Sequence, residues 1–212
     1  MAEVTGLRVD PRRPRRVEVF LDGRRWRSVS PDTAASLAVG MTLDDEALAA
    51  LEDRTAEAEA MARIGRLLAR RPCSEAEARR RLVRAGTEPG VIERVVARLR
   101  QAGDLDDAAF ARAWVENRAT FRPRSPAMLR AELRGRGVDS ATIESALAGV
   151  DEAQAASSAA RSAARRWANL EPAARRDKLY AFLARRGFDH ATIRRALRSL
   201  EPAPDTESEE LP

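Results

Sequence analysis

Three stretches of the chain repeat one another. LVRAGTEPGVIERVV at 82–96 returns as LRGRGVDSATIESAL at 133–147 and again as LARRGFDHATIRRAL at 183–197. Leu82, Leu133 and Leu183 keep the spacing, as do Ile92, Ile143 and Ile193, and the glycines Gly86, Gly137 and Gly187. A fixed period near fifty residues builds a stack of like supersecondary units rather than one continuous core. Each unit reads as three short helices. The expected fold is therefore all-α from about residue 44 to 200, in tandem three-helix repeats at 57–103, 104–150 and 151–200. No unit carries a catalytic motif, so the repeat reads as a scaffold for contact.

Local signals support this division. In the first repeat Met61, Ile64 and Leu68 form a helical stripe that stops before Pro72. Ser74 and Glu77 have capping-box spacing, Ala78 and Leu82 face inward, and Gly86 closes the second helix in the left-handed position. Ile92, Val95, Val96 and Leu99 line the third helix, which ends at Gly103. In the second repeat Asp106 and Asp107 stand at a helix N-terminus, where acids suit the dipole. Phe110 and Trp114 follow one turn apart, Ser125-Pro126 caps the next helix, and Asp139 caps the last. The third repeat is expected to use Trp167 and Leu170, then Leu179 and Leu183, then Asp189 and Ile193. Its first helix is rich in alanine and weakly apolar.

Ahead of the repeats, residues 1–14 are rich in Pro and Arg without periodicity and are expected to be disordered. Residues 15–56 should hold a β-hairpin and a helical lead-in. Val17, Val19 and Leu21 alternate, Asp22-Gly23 supplies the positive φ of a tight turn, and Trp26 lies on the return strand. Ser30-Pro31 starts a short helix that Gly40 should end. A further helix begins near Asp44, carries Leu48 and Leu51, and can run on towards Arg71. The tail, 201–212, has five acids and no base and is expected to be disordered.

Charge narrows the partner. Residues 61–200 carry 29 basic and 16 acidic side chains, whereas 29–60 carry eight acids against Arg54 alone. The body therefore has a positive field, which favours an anionic partner. Among the 38 basic residues only Lys178 is a lysine, a bias that a GC-rich coding sequence also produces. Arg79, Arg80, Arg81 and Arg84 crowd the second helix of the first repeat. Arg130, Arg134 and Arg136 occupy its counterpart in the second, and Arg175, Arg176, Lys178, Arg185 and Arg186 in the third. Arg118, Arg122 and Arg124 line a helix end and loop beside Phe121. These arginines are either a solvated polar face or a binding surface set in register along the repeats.

Catalysis has little to stand on. The one histidine, His190, sits in the first turn of a helix, and the one cysteine, Cys73, has no histidine nearby. There is no zinc spacing and no phosphate-binding glycine loop, so neither cofactor nor metal is expected. The single cysteine points to a reducing compartment, and no apolar run reaches membrane length, so a cytoplasmic protein is expected.

The segment LLARRPCSEAEARRRLVRAG, followed by VIERVVARLRQAGDLDDAAFARAWVENR, resembles the RecX family, bacterial regulators of the RecA recombinase. So do MLRAELRGRGV and KLYAFLARRGFDHATIRRAL, which ends the series with Gly187 and Phe188. The resemblance spans about residues 58–200. It implies a curved modular body of three-helix repeats that binds RecA and its filaments on single-stranded DNA; the chain itself is expected to be a monomer. It also implies inhibition of ATP hydrolysis, strand exchange and coprotease activity, hence a role in recombinational repair and the SOS response. It assigns no residue roles, so the arginines named above remain candidates for the partner surface. Two other readings fit the residues: a regulator that binds DNA directly, and a helical adaptor that involves no nucleic acid.

Overall fold

The computed structural model describes residues 1–11 and 13–200. The chain divides into two units, Met1–Asp106 and Asp107–Pro212. The acidic tail lies outside the described residues.

The first unit opens with a four-stranded antiparallel sheet in the order β3-β2-β1-β4. Its strands are β1 (Ala2–Asp10), β2 (Arg13–Leu21), β3 (Arg24–Val29) and β4 (Thr42–Leu43). The expected hairpin is the β2–β3 pair, and its turn has Asp22 at φ 47° and Gly23 at φ 76°. The expectation of disorder over 1–14 is corrected, since β1 pairs with β2 and with β4. The alternation of β1 is hidden by an irregularity between Val4 and Gly6, where two steps on β1 oppose one on β2. Such a bulge lets Val4 and Leu7, three residues apart, both reach the core. The extra residue, Thr5, accepts the Gly23 N–H through its hydroxyl at 2.8 Å and ties β1 to the hairpin turn.

The short helix α1 (Pro31–Ala34) starts on a Ser30 cap but stops well before Gly40. Gly40 instead turns the chain into β4 with φ 89°, its N–H donating to the Val4 carbonyl at 2.8 Å. Helix α2 (Asp45–Leu68) is a single 24-residue helix capped by Asp44. It serves two cores. Leu51 packs under the sheet with Val4, Val19, Val29 and Leu43, while Ala60 and Ile64 belong to the first repeat. Thr55 lies buried between them, its hydroxyl donating to the Leu51 carbonyl one turn back at 2.8 Å. That bond satisfies a buried hydroxyl within its own helix. The expected boundary at 56/57 thus falls inside a continuous helix. The first repeat is completed by α3 (Glu75–Val83) and α4 (Pro89–Gln101).

The second unit holds two further three-helix groups: α5 (Asp107–Phe121), α6 (Pro126–Arg136) and α7 (Ser140–Leu147), then α8 (Glu152–Ala164), α9 (Pro172–Ala184) and α10 (His190–Arg198). A 3-10 turn at Arg165–Trp167 follows α8. Leu82, Leu133 and Leu183 are all fully buried, and Ile92, Ile143 and Ile193 nearly so. Gly86, Gly137 and Gly187 have φ of 73°, 85° and 84°, the left-handed turn each second helix needs to hand over to the third. The third repeat's core departs from expectation. Leu170 is 40% exposed, and Ala156, Ala159, Ala160 and Ala163 form the buried face of α8. Alanine brings two helices close without side-chain bulk, so a stripe of small residues does the work of leucines.

Candidate partner surface

Helices α3, α6 and α9 carry the arginines singled out by sequence, and the structure sorts them. Arg79 on α3 bonds Glu75 one turn back at 3.0 Å and grips Glu93 on α4 at 3.1 and 3.2 Å. Arg130 on α6 grips Glu144 on α7 in the same forked way, at 2.6 and 2.8 Å. In the first and second repeats the pair joins the second helix to the third. The arginine hydrogen bond holds Glu93, and likewise Glu144, below the usual carboxylate range. Arg79 and Arg130 are therefore ion-paired within their own repeats.

Arg118 and Arg124 are drawn inward as well. The guanidiniums of Arg118 and Arg136 both stand over the Trp114 ring, each 4.3 Å from its centroid. The indole N–H donates to Glu132 on α6 at 2.7 Å, Arg118 donates to the same oxygen at 2.9 Å, and Arg124 forms an ion pair with the other. Glu132 is only 14% exposed. This node fixes α5 to α6.

Arg186 locks the third repeat onto the second. Its guanidinium stacks 4.2 Å over Phe182 and donates to the Pro123 carbonyl at 2.9 Å, while its own carbonyl accepts the Ser125 N–H at 3.0 Å. Burial, and then the nearby charges of Arg124 and Arg122, hold its pKa below that of an ordinary guanidinium. A Cβ on Gly187 would stand 2.6 Å from Ser125 Oγ, so the glycine turn is seated directly on the serine cap of α6. Phe188 is buried in the core beside it.

The other candidates face solvent. Arg84, Arg122, Lys178 and Arg185 are exposed and make no ion pair among the described residues. Arg80 is exposed on α3, and Arg134 lies close enough to Glu144 to lower its pKa. Among the motif residues, Asp107 opens α5, Gly103 turns at φ 77° after α4, and Phe110 packs 5.9 Å from Trp114 in the second core. Sequence reasoning passed over Arg194 and Arg198, exposed on α10, and Tyr180 on α9. The signal was readable, because Arg194 stands where Glu93 and Glu144 stand in the sister repeats.

The fold is that of a tandem three-helix repeat protein, and comparison with known proteins is more specific. The family models for the first, second and third three-helix domains of RecX match residues 60–99, 106–147 and 151–197 in that order. The regulatory protein RecX of Thermobifida fusca (strain YX) is 38% identical over 153 residues, covering 71% of this chain and 82% of that protein. That of Mycobacterium leprae (strain Br4923) is 39% identical over 132 residues, covering 60% and 77%. That of Lacticaseibacillus paracasei is 29% identical over 216 residues, covering 99% and 89%. A crystal structure of regulatory protein RecX superposes with a TM-score of 0.66 at 23% identity, over 93% of this chain and all of that one. The chain belongs to the RecX family of regulatory proteins. Among the described residues, no helix is long and apolar enough to cross a membrane.

Proposed function

We propose that this protein binds RecA and its filaments on single-stranded DNA, and that it restrains their ATP hydrolysis, strand exchange and coprotease activity without turnover of its own. The observation that carries the reading is the ordered set of three RecX domains across 60–197. Three like units on one chain suit a partner that is itself a repeating polymer. Weak contacts made by linked units reinforce one another through high local concentration. To disassemble a filament, the protein must favour one state of it, such as its growing end, because equal affinity for every state shifts nothing. Arg84, Arg122, Lys178 and Arg185, exposed and without an ion pair among the described residues, are candidates to meet the partner. The reading places the protein in the cytoplasm, in recombinational repair and the SOS response.

The test is RecA ATP hydrolysis on single-stranded DNA, titrated with this protein. Inhibition is expected at substoichiometric amounts, and full RecA activity at equimolar protein would refute the proposal.

A further inference from the structure

The three repeats provide an internal control for surface charge. At one set of equivalent positions, on the second and third helices, repeat 1 has Glu75, Arg79 and Glu93, two acids around one base. Repeat 2 has Pro126, Arg130 and Glu144, one acid with one base. Repeat 3 has Arg176, Tyr180 and Arg194, two bases and no acid. The charge pair that closes the helix junction twice is thus missing from the third repeat. In its place the Tyr180 hydroxyl meets His190 Nδ1 at 2.8 Å, and the two rings stand edge to face with centroids 5.6 Å apart.

This exchange frees charge. His190, Arg194 and Arg198 lie at successive i, i+4 positions and so along one side of α10. All three are exposed, and neither Arg194 nor Arg198 makes an ion pair among the described residues. Tyr180 is half-exposed at the edge of this stripe. Like charges one turn apart on a helix repel, whereas the sister repeats join the same two helices through an arginine–glutamate pair. Guanidiniums beside accessible aromatic rings suit a polyanion with flat, unstacked bases, because phosphates meet the cations while bases stack on the rings. We propose that the α9–α10 face of the third repeat, centred on Tyr180, His190, Arg194 and Arg198, is a binding site for single-stranded nucleic acid. The proposal deepens the filament reading, but its test needs no recombinase.

The test measures binding of the full chain to a labelled oligothymidylate of about twenty nucleotides by fluorescence anisotropy, across a salt series. The decisive variant is Tyr180→Arg with Arg194→Glu, which installs the pair that Arg130 and Glu144 form in the second repeat. Its affinity should fall at least tenfold, and the slope of log affinity against log salt should flatten by roughly 0.7 per lost phosphate contact. Arg194→Gln with Arg198→Gln, confined to exposed positions, should give a similar loss with an unchanged melting curve. Tyr180→Ala should weaken binding by roughly tenfold through lost stacking. Parent-like affinity and salt slope in both double variants would overturn the proposal. So would a parent that fails to bind at low salt, or that binds a duplex of equal length as tightly as the single strand. A parent that binds the oligonucleotide yet leaves RecA activity untouched would sustain this site and refute the filament reading.

Discussion

The second and third repeats reach the same backbone by different chemistry. Both bury a leucine pair on the middle helix, Leu129 and Leu133 in one, Leu179 and Leu183 in the other. Both turn on a left-handed glycine and both cap the last helix with an aspartate, Asp139 or Asp189. The node that joins the first helix to the second is where they part. In the second repeat Glu132 gathers Trp114, Arg118 and Arg124. At the equivalent place in the third stands Phe182, packed edge-on against Trp167 with centroids 5.8 Å apart. Arg136 and Arg186, also equivalent, each stack on the local aromatic ring, at 4.3 and 4.2 Å. The positions that set helix direction are fixed, whereas the filling between helices is free to be ionic or aromatic provided that it is satisfied.

The most severe way to break this comparison is to empty the ionic node. Glu132→Ala would leave two guanidiniums and an indole N–H without their acceptor in a largely buried place. It should cost about 2–3 kcal/mol, as removal of one partner from such a network does. Phe182→Ala removes apolar packing from a half-buried ring and should cost about 1–2 kcal/mol. Urea unfolding of the two variants checks the order, and an equal or reversed ranking would show that the carboxylate is not the keystone. Replacing both Arg118 and Arg124 by alanine should also destabilise. Arg122→Ala, at an exposed site, should stay within about 0.5 kcal/mol.

A finer cut lies at the glycines. Gly86 has open space around the position a Cβ would take, whereas Gly187 has Ser125 Oγ at 2.6 Å and Met128 Cβ at 3.1 Å. Gly86→Ala should cost about 1 kcal/mol, the strain of a left-handed residue alone. Gly187→Ala carries the same strain plus a clash with a buried cap, and its melting point should fall further. Equal losses would mean that the third repeat can shift off the second without penalty.

Much of this was legible in the sequence, for a physical reason. Helix caps, left-handed glycines and leucine stripes are local, so Ser74, Ser125, Asp139 and Asp189 could be assigned from spacing, and each caps its helix. Strand β1 was not legible because a bulge breaks its alternation. The first helix of the third repeat was obscured for another reason. Asp107 to Glu152 is a step of 45, but Leu133 to Leu183 is a step of 50, and the extra residues are taken up around the 3-10 turn at Arg165–Trp167. Alignment by the longer period therefore puts alanines under the wrong partners. The arginines were ambiguous because a charge sequence does not say which cations are spent within the fold. Arg118 and Arg124 find Glu132 only once the helices pack.

The smallest effect separates the repeats by acid titration. Hydrogen bonds from Thr142 hold Asp139 below the usual carboxylate range, and backbone hydrogen bonding from Thr192 does so for Asp189. Both repeats share this feature, but only the second adds a depressed glutamate, Glu144, held by Arg130. A carboxyl whose pKa is lower folded than unfolded binds its proton first in the unfolded chain. Its contribution is complete above the ordinary carboxylate range and is lost as pH falls through the depressed value. Stability should thus decline from about pH 5 downward. Glu144→Gln should make that decline shallower, since one such group is gone. Tyr180→Arg with Arg194→Glu should make it steeper, since the third repeat then acquires the same group. Urea midpoints measured from neutral to acid pH test both directions. If all three chains lose stability with one slope, the Arg130–Glu144 pair does not couple folding to protonation, and the third repeat gives up nothing in stability by leaving Arg194 unpaired.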